Sequence, residues 1–422
     1  MKNTLLSLTT SAILLIPLIS CTGKDEDDPV TVITLDKTTL SLDVGESERI
    51  TAKVEPNQRL AWANSDSSVV LAELAADHAV TITAKSAGSA NITAAVDSDR
   101  SISATCTVTV NDVYVAGCEY RYGVYAPVIW KNGQTQYLGA GSGMAESVFV
   151  YNNDVYVAGY EGNVGKIWRN GLLYQNLGSG AYPASLYVSN GNIYVAGYGL
   201  NTQGLNVATL WVNGTTQRLS TDESYAYCVH VSGGDVYVAG ERRDQIQSAL
   251  LWKNGSIQVL GGAMEASIAT SVTVSGGIVY VAGVEATASG IQSVVLWRNG
   301  TPQRISDGRY RATAHSVFVS GNDVYISGGQ LHDYVTQFDG SRVSTAAVWK
   351  NGNREWLSNG ANPSYARSVY VKGGNVYAVG LNYDVFDEPN GMLWRDPATN
   401  DRGYYITNHL TGNGQGRSVF VN

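Results

Sequence analysis

The sequence predicts an all-β protein built from many short antiparallel strands. Three observations support this: the 422 residues include 46 Gly and 26 Tyr, 15% of residues are charged, and one three-part pattern recurs seven times after residue 111. Glycine supplies the positive φ of tight turns, and tyrosine is enriched in strands. With 44% apolar residues the chain can fill a core. A formal charge of −8 excludes a basic nucleic-acid binder.

Residues 1–20 have the features of an export signal. Lys2 precedes a mostly apolar stretch from residue 5 to residue 19, which is too short for a stable membrane span. Residues 18–21 read Leu-Ile-Ser-Cys, an ending that resembles a bacterial lipobox. The resemblance implies cleavage before Cys21 and lipidation of its thiol. A plain signal peptide with a chance cysteine is the alternative.

Residues 21–30 form an acidic segment that we interpret as a solvated tether. Residues 22–29 read Thr-Gly-Lys-Asp-Glu-Asp-Asp-Pro. This run resembles the export signal of Bacteroidetes surface lipoproteins. The resemblance implies an outer-membrane, lipid-anchored and surface-exposed protein rather than one on the periplasmic face. The lipid anchor would be its contact with the membrane.

Residues 31–110 contain short alternating strands separated by turns, which predicts a small β-sandwich of the immunoglobulin type. The segment resembles the bacterial immunoglobulin-like domain, group 2, along its whole length. The matching features are Asp43-Val-Gly-Glu46, Val54-Glu-Pro56, the run from Trp62 to Asp66, and the ending Cys106-Thr-Val-Thr-Val110. In that family the domain serves as a spacer or an adhesive module. We expect Trp62 to fill the core.

The repeats begin at residue 111 and consist of three motifs, each present seven times. The first, Asp-Val-Tyr-Val-Ala-Gly or a variant, places tyrosines at Tyr114, Tyr156, Tyr194, Tyr237, Tyr280, Tyr325 and Tyr377. The second ends in Trp130, Trp168, Trp211, Trp252, Trp297, Trp349 and Trp394, and six of these precede x-Asn-Gly. The third is Ser-Val-x-Val, starting at Ser147, Ser185, Cys228, Ser271, Ser316, Ser368 and Ser418.

Each repeat predicts four antiparallel strands, because Asn-Gly between strands favours a type I′ hairpin and no helical period is present. Such repeats indicate a β-propeller of seven blades over residues 111–422. A solenoid of stacked hairpins is the alternative. The region opens on a second strand and ends on a first strand, so residues 417–421 should pair with residues 112–117. That pairing would close the ring and cover its edges.

The long loops between second and third strands predict a binding face. They include residues 118–126, 198–206, 241–248, 329–345 and 381–391. Variable loops on a rigid scaffold concentrate binding residues. Tyr122, Tyr334 and Tyr383 lie on these loops, and their aromatic faces suit a glycan or a protein ligand. The alternative is that the tyrosines pack loop against loop with wet hydroxyls.

Alignment of the repeats predicts a second cluster at the mouth of a central channel. The residue before each first-strand Ser or Cys is Glu146, Ala184, Tyr227, Thr270, His315, Arg367 and Arg417 around the ring. Two arginine forks with a nearby histidine suit a carboxylate ligand. The alternative is an Arg–Glu pair that lines a wet channel without binding anything.

The leading functional prediction is a cell-surface, lipid-anchored, non-catalytic and monomeric protein that binds a glycan or a protein. A polysaccharide-degrading lyase or hydrolase is the alternative. No metal motif, phosphate loop or nucleophile motif is evident, so we predict no cofactor, no metal and no catalytic residue. Cys106, Cys118 and Cys228, three widely spaced cysteines, do not suggest a disulfide framework.

Overall fold

The computed structural model describes residues 31–75, 78–261, 265–336, 342–384, 386, 388–395, 406–410 and 413–422, and of these it describes 332–336, 342 and 406–409 by their backbone alone. Every regular element in these ranges is a strand. No helix within them is long and apolar enough to cross a membrane. The predictions for residues 1–30, including lipidation of Cys21, lie outside the described residues.

The N-terminal segment is a sandwich of two four-stranded sheets, ordered β1-β3-β6-β5 and β2-β8-β7-β4. Its strands are β1 (Val32–Leu35), β2 (Thr39–Asp43), β3 (Ser47–Glu55), β4 (Leu60–Asn64), β5 (Val70–Ala75), β6 (Ala79–Ala84), β7 (Gly88–Val96) and β8 (Ser103–Asn111). Alternate residues of these strands are buried, as in β3, so the two inner faces form the core. Trp62 packs against this core, as the sequence predicts.

The remaining described chain forms seven antiparallel sheets of four strands. Sheet one combines β9 (Val113–Arg121), β10 (Val124–Lys131) and β11 (Gln134–Tyr137) with the C-terminal β36. Sheets two to four contain β12 (Gly143–Tyr151), β13 (Asp154–Glu161), β14 (Val164–Arg169), β15 (Leu172–Ser179), β16 (Ala181–Ser189), β17 (Asn192–Leu200), β18 (Asn206–Val212), β19 (Thr215–Arg218), β20 (Ser224–Ser232), β21 (Asp235–Arg242), β22 (Ser248–Lys253) and β23 (Ser256–Val259).

Sheets five to seven continue the same order. They contain β24 (Ser267–Ser275), β25 (Ile278–Ala286), β26 (Gln292–Arg298), β27 (Thr301–Arg304), β28 (Ala312–Ser320), β29 (Asp323–Thr336), β30 (Arg342–Lys350), β31 (Asn353–Trp356), β32 (Ser364–Lys372), β33 (Asn375–Tyr383), β34 (Pro389–Arg395) and β35 (Ile406–His409), followed by β36 (Gly414–Val421). The first strand of each sheet contacts that of the next, and β36 contacts β12. The first strands therefore surround a common axis in a propeller-like arrangement.

The C-terminal strand pairs with the first strand of the repeat region, as the sequence predicts. Val421 lies opposite Val113, and Phe420 lies opposite Tyr114. Residues from the two ends of the repeat region thus share one sheet. No strand edge of β9 is left open, because β36 covers one side and β10 the other.

The repeated motifs have local structural roles. The seven motif tryptophans are at most 2% exposed and pack between neighbouring sheets. Both residues of all six Asn-Gly turns have positive φ, as type I′ turns require. Each turn asparagine also accepts a hydrogen bond from the start of the second strand, as Asn170 does from the Val155 N–H at 2.9 Å. These turns lie on one side, which we call the hairpin face; the opposite side is the loop face.

The loop face is more regular than the sequence suggests. The sequence predicts a long loop over residues 118–126, but β9 and β10 stay paired as far as Arg121 opposite Val124. A two-residue turn at Tyr122 and Gly123, both with positive φ, closes this hairpin. Strands β33 and β34 likewise pair as far as Tyr383 opposite Pro389. Backbone pairing continues because the ladder satisfies N–H and C=O groups that a loop would leave to water.

The immunoglobulin-like domain contacts the hairpin face at sheet seven. In three of the sheets the aspartate two positions before the motif tyrosine, Asp112, Asp235 or Asp323, makes the same two contacts. This aspartate accepts a hydrogen bond from the tyrosine hydroxyl and forms an ion pair with the lysine that follows the motif tryptophan. Sheet seven has Asn375 at this position. There the Tyr377 hydroxyl donates to Asp43 of the sandwich at 2.7 Å, and Arg395 pairs with Asp43 at 3.3 Å and with Glu46. The sandwich thereby supplies the carboxylate that sheet seven lacks.

Candidate functional site

A β-bulge recurs in the first strand of every sheet and re-aims one side chain. In β12 the pairing skips from Ala145 to Ser147, so Glu146 has no partner on β13. The same shift occurs in all seven sheets, and the unpaired residues are Glu146, Ala184, Tyr227, Thr270, His315, Arg367 and Arg417. A bulge bends the strand and turns the extra side chain out of the regular alternation. These are the seven residues that repeat alignment assigns to the channel mouth.

The glycine of Asp-Val-Tyr-Val-Ala-Gly is required by this bulge. A Cβ at Gly159 would collide with the Met144 carbonyl oxygen, and one at Gly380 would collide with that of Tyr365. The same collision with first-strand backbone occurs at the equivalent glycine of every sheet. Because a backbone oxygen cannot swing aside as a flexible side chain can, the motif glycine permits the bulge that aims the channel-mouth residue.

Four consecutive sheets bring charged and polar side chains together at the mouth. His315, Arg367, Arg417 and Glu146 belong to β28, β32, β36 and β12, which contact one another in that order. The Arg417 Nε lies 3.6 Å from the Glu146 Oε2, with side chains 25% and 22% exposed. We call these four residues the mouth cluster.

The electrostatics of the mouth cluster reflect burial together with a surplus of positive charge. Burial, followed by the positive charges of Arg367 and Arg417, lowers the pKa of His315 to about 3, so this imidazole is neutral at pH 7. Burial raises the pKa of Glu146, and the two arginines oppose that shift. Burial, then Arg417, lowers the pKa of Arg367. Each shift depends on another member, so the four groups form one electrostatic unit.

A row of tyrosines continues from the mouth cluster around the loop face. Tyr160, Tyr182, Tyr198, Tyr225 and Tyr227 follow one another with ring-centroid separations of 5.6, 5.1, 4.9 and 6.4 Å. All five are partly exposed. The row starts near Glu146, because Tyr160 pairs with Met144, which lies two positions before Glu146 on β12. We call these residues the tyrosine row.

The far end of the tyrosine row is held by a buried carboxylate. Glu241 is fully buried and accepts hydrogen bonds from the Tyr227 hydroxyl at 2.9 Å and from the Arg243 Nε at 2.7 Å. The Arg243 guanidinium also lies 4.3 Å from the centroid of the Tyr225 ring. These contacts orient Tyr225 and Tyr227, so Tyr227 presents its ring while its hydroxyl is engaged.

The other predicted tyrosines lie in different places. Tyr383 is partly exposed near Arg367, where it contributes to the electrostatic environment of that guanidinium. Tyr122 is 88% exposed at the tip of the β9–β10 hairpin, where it contacts Arg121. Arg121 in turn lies over Tyr137 of the outer strand β11, so these contacts place Tyr122 towards the outer edge of sheet one. The side chain of Tyr334 lies outside the described residues.

Sequence reasoning missed Tyr160, Tyr182, Tyr225 and Tyr365. Three of them had a signal in the repeat alignment: Tyr182, Tyr225 and Tyr365 each stand two residues before the bulge residue. This position begins the first strand on the loop face. Tyr365 lies under Arg367, whose guanidinium is 5.8 Å from the ring centroid. Tyrosines therefore flank the mouth cluster on both sides.

Deeper in the channel, aromatic side chains on six of the seven first strands contact one another in a continuous run. Phe149 contacts Tyr187 at 4.6 Å and Phe420 at 5.1 Å, and Tyr187 contacts His230 at 4.8 Å. His230 is therefore a packing residue, and burial lowers its pKa to about 4. In the described part of the chain no cluster of His, Cys, Asp and Glu side chains could hold a metal ion.

Comparison with known families supports one part of the chain. Residues 29–109 match the bacterial Ig-like domain (group 2). This confirms the resemblance seen in the sequence. A search of curated proteins finds no match to the chain.

Solved structures with a similar fold include proteins of several activities. One is the β-propeller domain of the Trilobed protease from Pyrococcus furiosus, with 11% identity and a TM-score of 0.39 over 79% of this chain and 100% of that one. Another is a puromycin-hydrolyzing peptidase of Mycobacterium tuberculosis, with 9% identity and a TM-score of 0.47 over 84% of this chain and 53% of that one. A third is an α-L-arabinofuranosidase from Clostridium thermocellum, with 12% identity and a TM-score of 0.29 over 65% and 95%. None of these likenesses bears on what this chain binds or catalyses.

Proposed function

We propose that the seven sheets are the blades of a β-propeller closed by β36, and that its loop face is a non-catalytic glycan-binding surface displayed outside the cell. The ring of contacts between first strands and the pairing of β36 with β9 support the closed propeller. A ring without open edges is a rigid scaffold on which a binding surface can be held in fixed geometry.

The tyrosine row is the observation that carries the binding proposal. Its rings are partly exposed, adjacent and fixed by neighbours, as Tyr182 and Tyr198 are by stacking at 5.1 Å with an interplanar angle of 20°. Rigid aromatic side chains lose little conformational entropy on binding and offer large contact areas. A run of such rings suits an extended ligand with apolar faces and polar edges, which describes a glycan chain.

The position of the immunoglobulin-like domain supports outward display. Its Asp43 contacts Tyr377 and Arg395 on the hairpin face, at the opposite end of the strands from the tyrosine row. A tether that enters through this domain would leave the loop face pointing away from the membrane. The orientation suits a spacer that lifts a binding face towards ligands in the medium.

The anchoring part of the proposal concerns residues outside the described ranges. Cys21→Ala should release the protein from the membrane fraction, because lipidation needs the thiol. Neutral replacements from Lys24 to Asp28 should leave the protein lipidated but protected from external protease. Unchanged surface labelling of the second variant would contradict the export proposal.

A glycan array tests the binding proposal directly. The parent protein should retain oligosaccharides without shortening them, and Tyr182→Ala and Tyr198→Ala should each weaken binding at least tenfold, as truncation of a central aromatic contact does. Tyr174→Ala is the matched control, because Tyr174 is 52% exposed on the outer strand β15. Equal losses in all three variants, or no retained glycan, would overturn the proposal. Shortened products would instead favour the polysaccharide-degrading alternative.

A further inference from the structure

We propose that the mouth cluster binds a carboxylate, and that the ligand is an acidic glycan whose uronate group lies between Arg367 and Arg417. This inference rests on the proposed function, because the neighbouring tyrosine row would hold the rest of the glycan. It adds the chemical class of the ligand and names the residues that recognise its charge.

The first support is a set of buried polar nitrogen atoms that lack a hydrogen-bond partner. Within the described residues, the Arg367 Nε, the Arg417 Nε and the His315 Nε2 are buried nitrogen atoms with no hydrogen-bond partner. Buried polar groups are paired in the great majority of cases, so each exception calls for an explanation. Here three exceptions lie on adjacent strands around one opening. Residues Arg367 and Arg417 are themselves partly exposed, so their guanidinium groups can be offered to an external acceptor at that opening.

The second support is the charge balance. With Glu146 ionised against Arg417, the cluster holds two positive charges and one negative charge, and His315 is neutral at pH 7, so the net charge is +1. An uncompensated charge away from bulk water is costly, whereas a paired one is tolerated. One monovalent anion would neutralise the cluster. A uronate group carries that charge.

The third support is geometric. Arginine presents a planar fork that matches the two oxygens of a carboxylate, which lysine cannot do. The bulges bring two such forks to neighbouring strands, β32 and β36. Glu146 holds Arg417 at 3.6 Å, longer than a hydrogen bond, so this guanidinium keeps donors for a second carboxylate.

A glycan fits better than an acidic peptide because the aromatic surface continues directly from the charged one. Tyr160 pairs with Met144, two positions before Glu146, and its ring is followed by those of Tyr182, Tyr198 and Tyr225 at separations near 5 Å. A chain that places one carboxylate at the mouth can lie along this row. Tyr365 lies under Arg367 on the other side.

The test is titration calorimetry of the full-length protein with two probes that share a backbone: oligogalacturonate and its full methyl ester. The parent should bind the acid at least tenfold more tightly than the ester. Arg367→Met and Arg417→Met should each reduce the ratio of acid to ester affinity at least tenfold. Arg367→Lys should retain only part of this ratio, because lysine keeps the charge without the planar fork. Arg100→Met, on an exposed arginine of the sandwich, is the control that should change nothing.

Glu146→Gln separates a ligand site from an internal ion pair. A site for an anion should bind oligogalacturonate severalfold more tightly once the competing carboxylate is removed. An internal ion pair would instead lose thermal stability without any gain in affinity. That second pattern would overturn the inference even if an arginine variant misfolded.

The outcomes distinguish this inference from the proposed function. Equal affinity for acid and ester would overturn the carboxylate site and leave glycan binding intact. Binding of poly-glutamate as tight as that of oligogalacturonate would keep the carboxylate site but overturn the glycan as its ligand. Binding to neither galacturonate probe would overturn the inference, while neutral glycans on the array would still test the tyrosine row.

Discussion

Asp43→Ala should loosen the junction between the immunoglobulin-like domain and sheet seven. The Tyr377 side chain is fully buried and its hydroxyl donates to Asp43 at 2.7 Å. Arg395, whose side chain is 8% exposed, pairs with the same carboxylate at 3.3 Å. The substitution removes the acceptor of the Tyr377 hydroxyl and one ion-pair partner of Arg395, both of which belong to the other domain.

The magnitude follows from those contacts. A hydrogen bond to a charged group contributes about 1.5–3 kcal/mol, and a buried donor left unpaired costs about 1–3 kcal/mol. Arg395 keeps Glu46 as a partner, so the loss at Arg395 is partial. We therefore expect about 3 kcal/mol, or roughly a hundredfold change in the docking equilibrium.

Asn375→Asp provides the matched rescue. In sheets one, four and six an aspartate at this position serves the tyrosine and the basic residue of its own sheet. Asn375→Asp alone should destabilise the junction, because two carboxylates would then compete for Arg395. Combined with Asp43→Ala, it should restore the stability of sheet seven to within about 1 kcal/mol. The two effects would then be strongly non-additive, as expected for residues that share a partner.

Hydrogen exchange of β33 and β34 measures the stability of sheet seven, and small-angle scattering measures the separation of the domains. Asp43→Ala should speed exchange in these strands and broaden the distance distribution. Asp97→Ala is the control, because Asp97 is an exposed carboxylate of the same domain that pairs with Arg59 and Arg100 at 3.8 Å. This substitution should change neither the exchange rates nor the distance distribution. Additive effects of Asp43→Ala and Asn375→Asp would refute the argument that one carboxylate replaces the other.

Three further predictions concern the ring. Gly380→Ala should destabilise the protein by about 3 kcal/mol in urea unfolding, because its Cβ would meet the Tyr365 backbone oxygen; an unchanged midpoint would contradict the role given to the motif glycine. Deletion of residues 416–422 should expose the edge of β9 and lower the melting temperature of the whole ring, and a melt like that of the parent would contradict ring closure. His315→Asn should make the free energy of unfolding fall less steeply as the pH is lowered. The folded pKa of His315, about 3, lies below its unfolded value near 6.5, so its contribution is complete above pH 6.5 and falls by up to about 1.4 kcal/mol per pH unit below it; identical pH profiles would exclude a buried neutral histidine.

Much of the fold could be predicted because the governing rules are local and repeated seven times. Asn170-Gly171 and its equivalents require positive φ at both residues, which identifies the hairpins wherever they occur. Repeat counting also ordered the strands around the axis. It therefore predicted that Glu146 and Arg417, 271 positions apart in numbering, belong to neighbouring strands, where the structure has them 3.6 Å apart.

The sequence by itself determined the strands, the turns and the ring order, because these depend on backbone conformation and on the alternation of apolar residues along each repeat. Tertiary structure decided which side chains meet across elements. The Asp43–Tyr377 hydrogen bond joins residues 334 positions apart, and in the sequence Asn375 looks like ordinary variation within a repeat. The tyrosine row was likewise set by tertiary structure, since rings from three sheets become neighbours only when the bulges and the ring curvature bring their strands together. Local rules fix where each chain segment points along its own sheet, whereas contacts between sheets depend on how all the sheets pack at once.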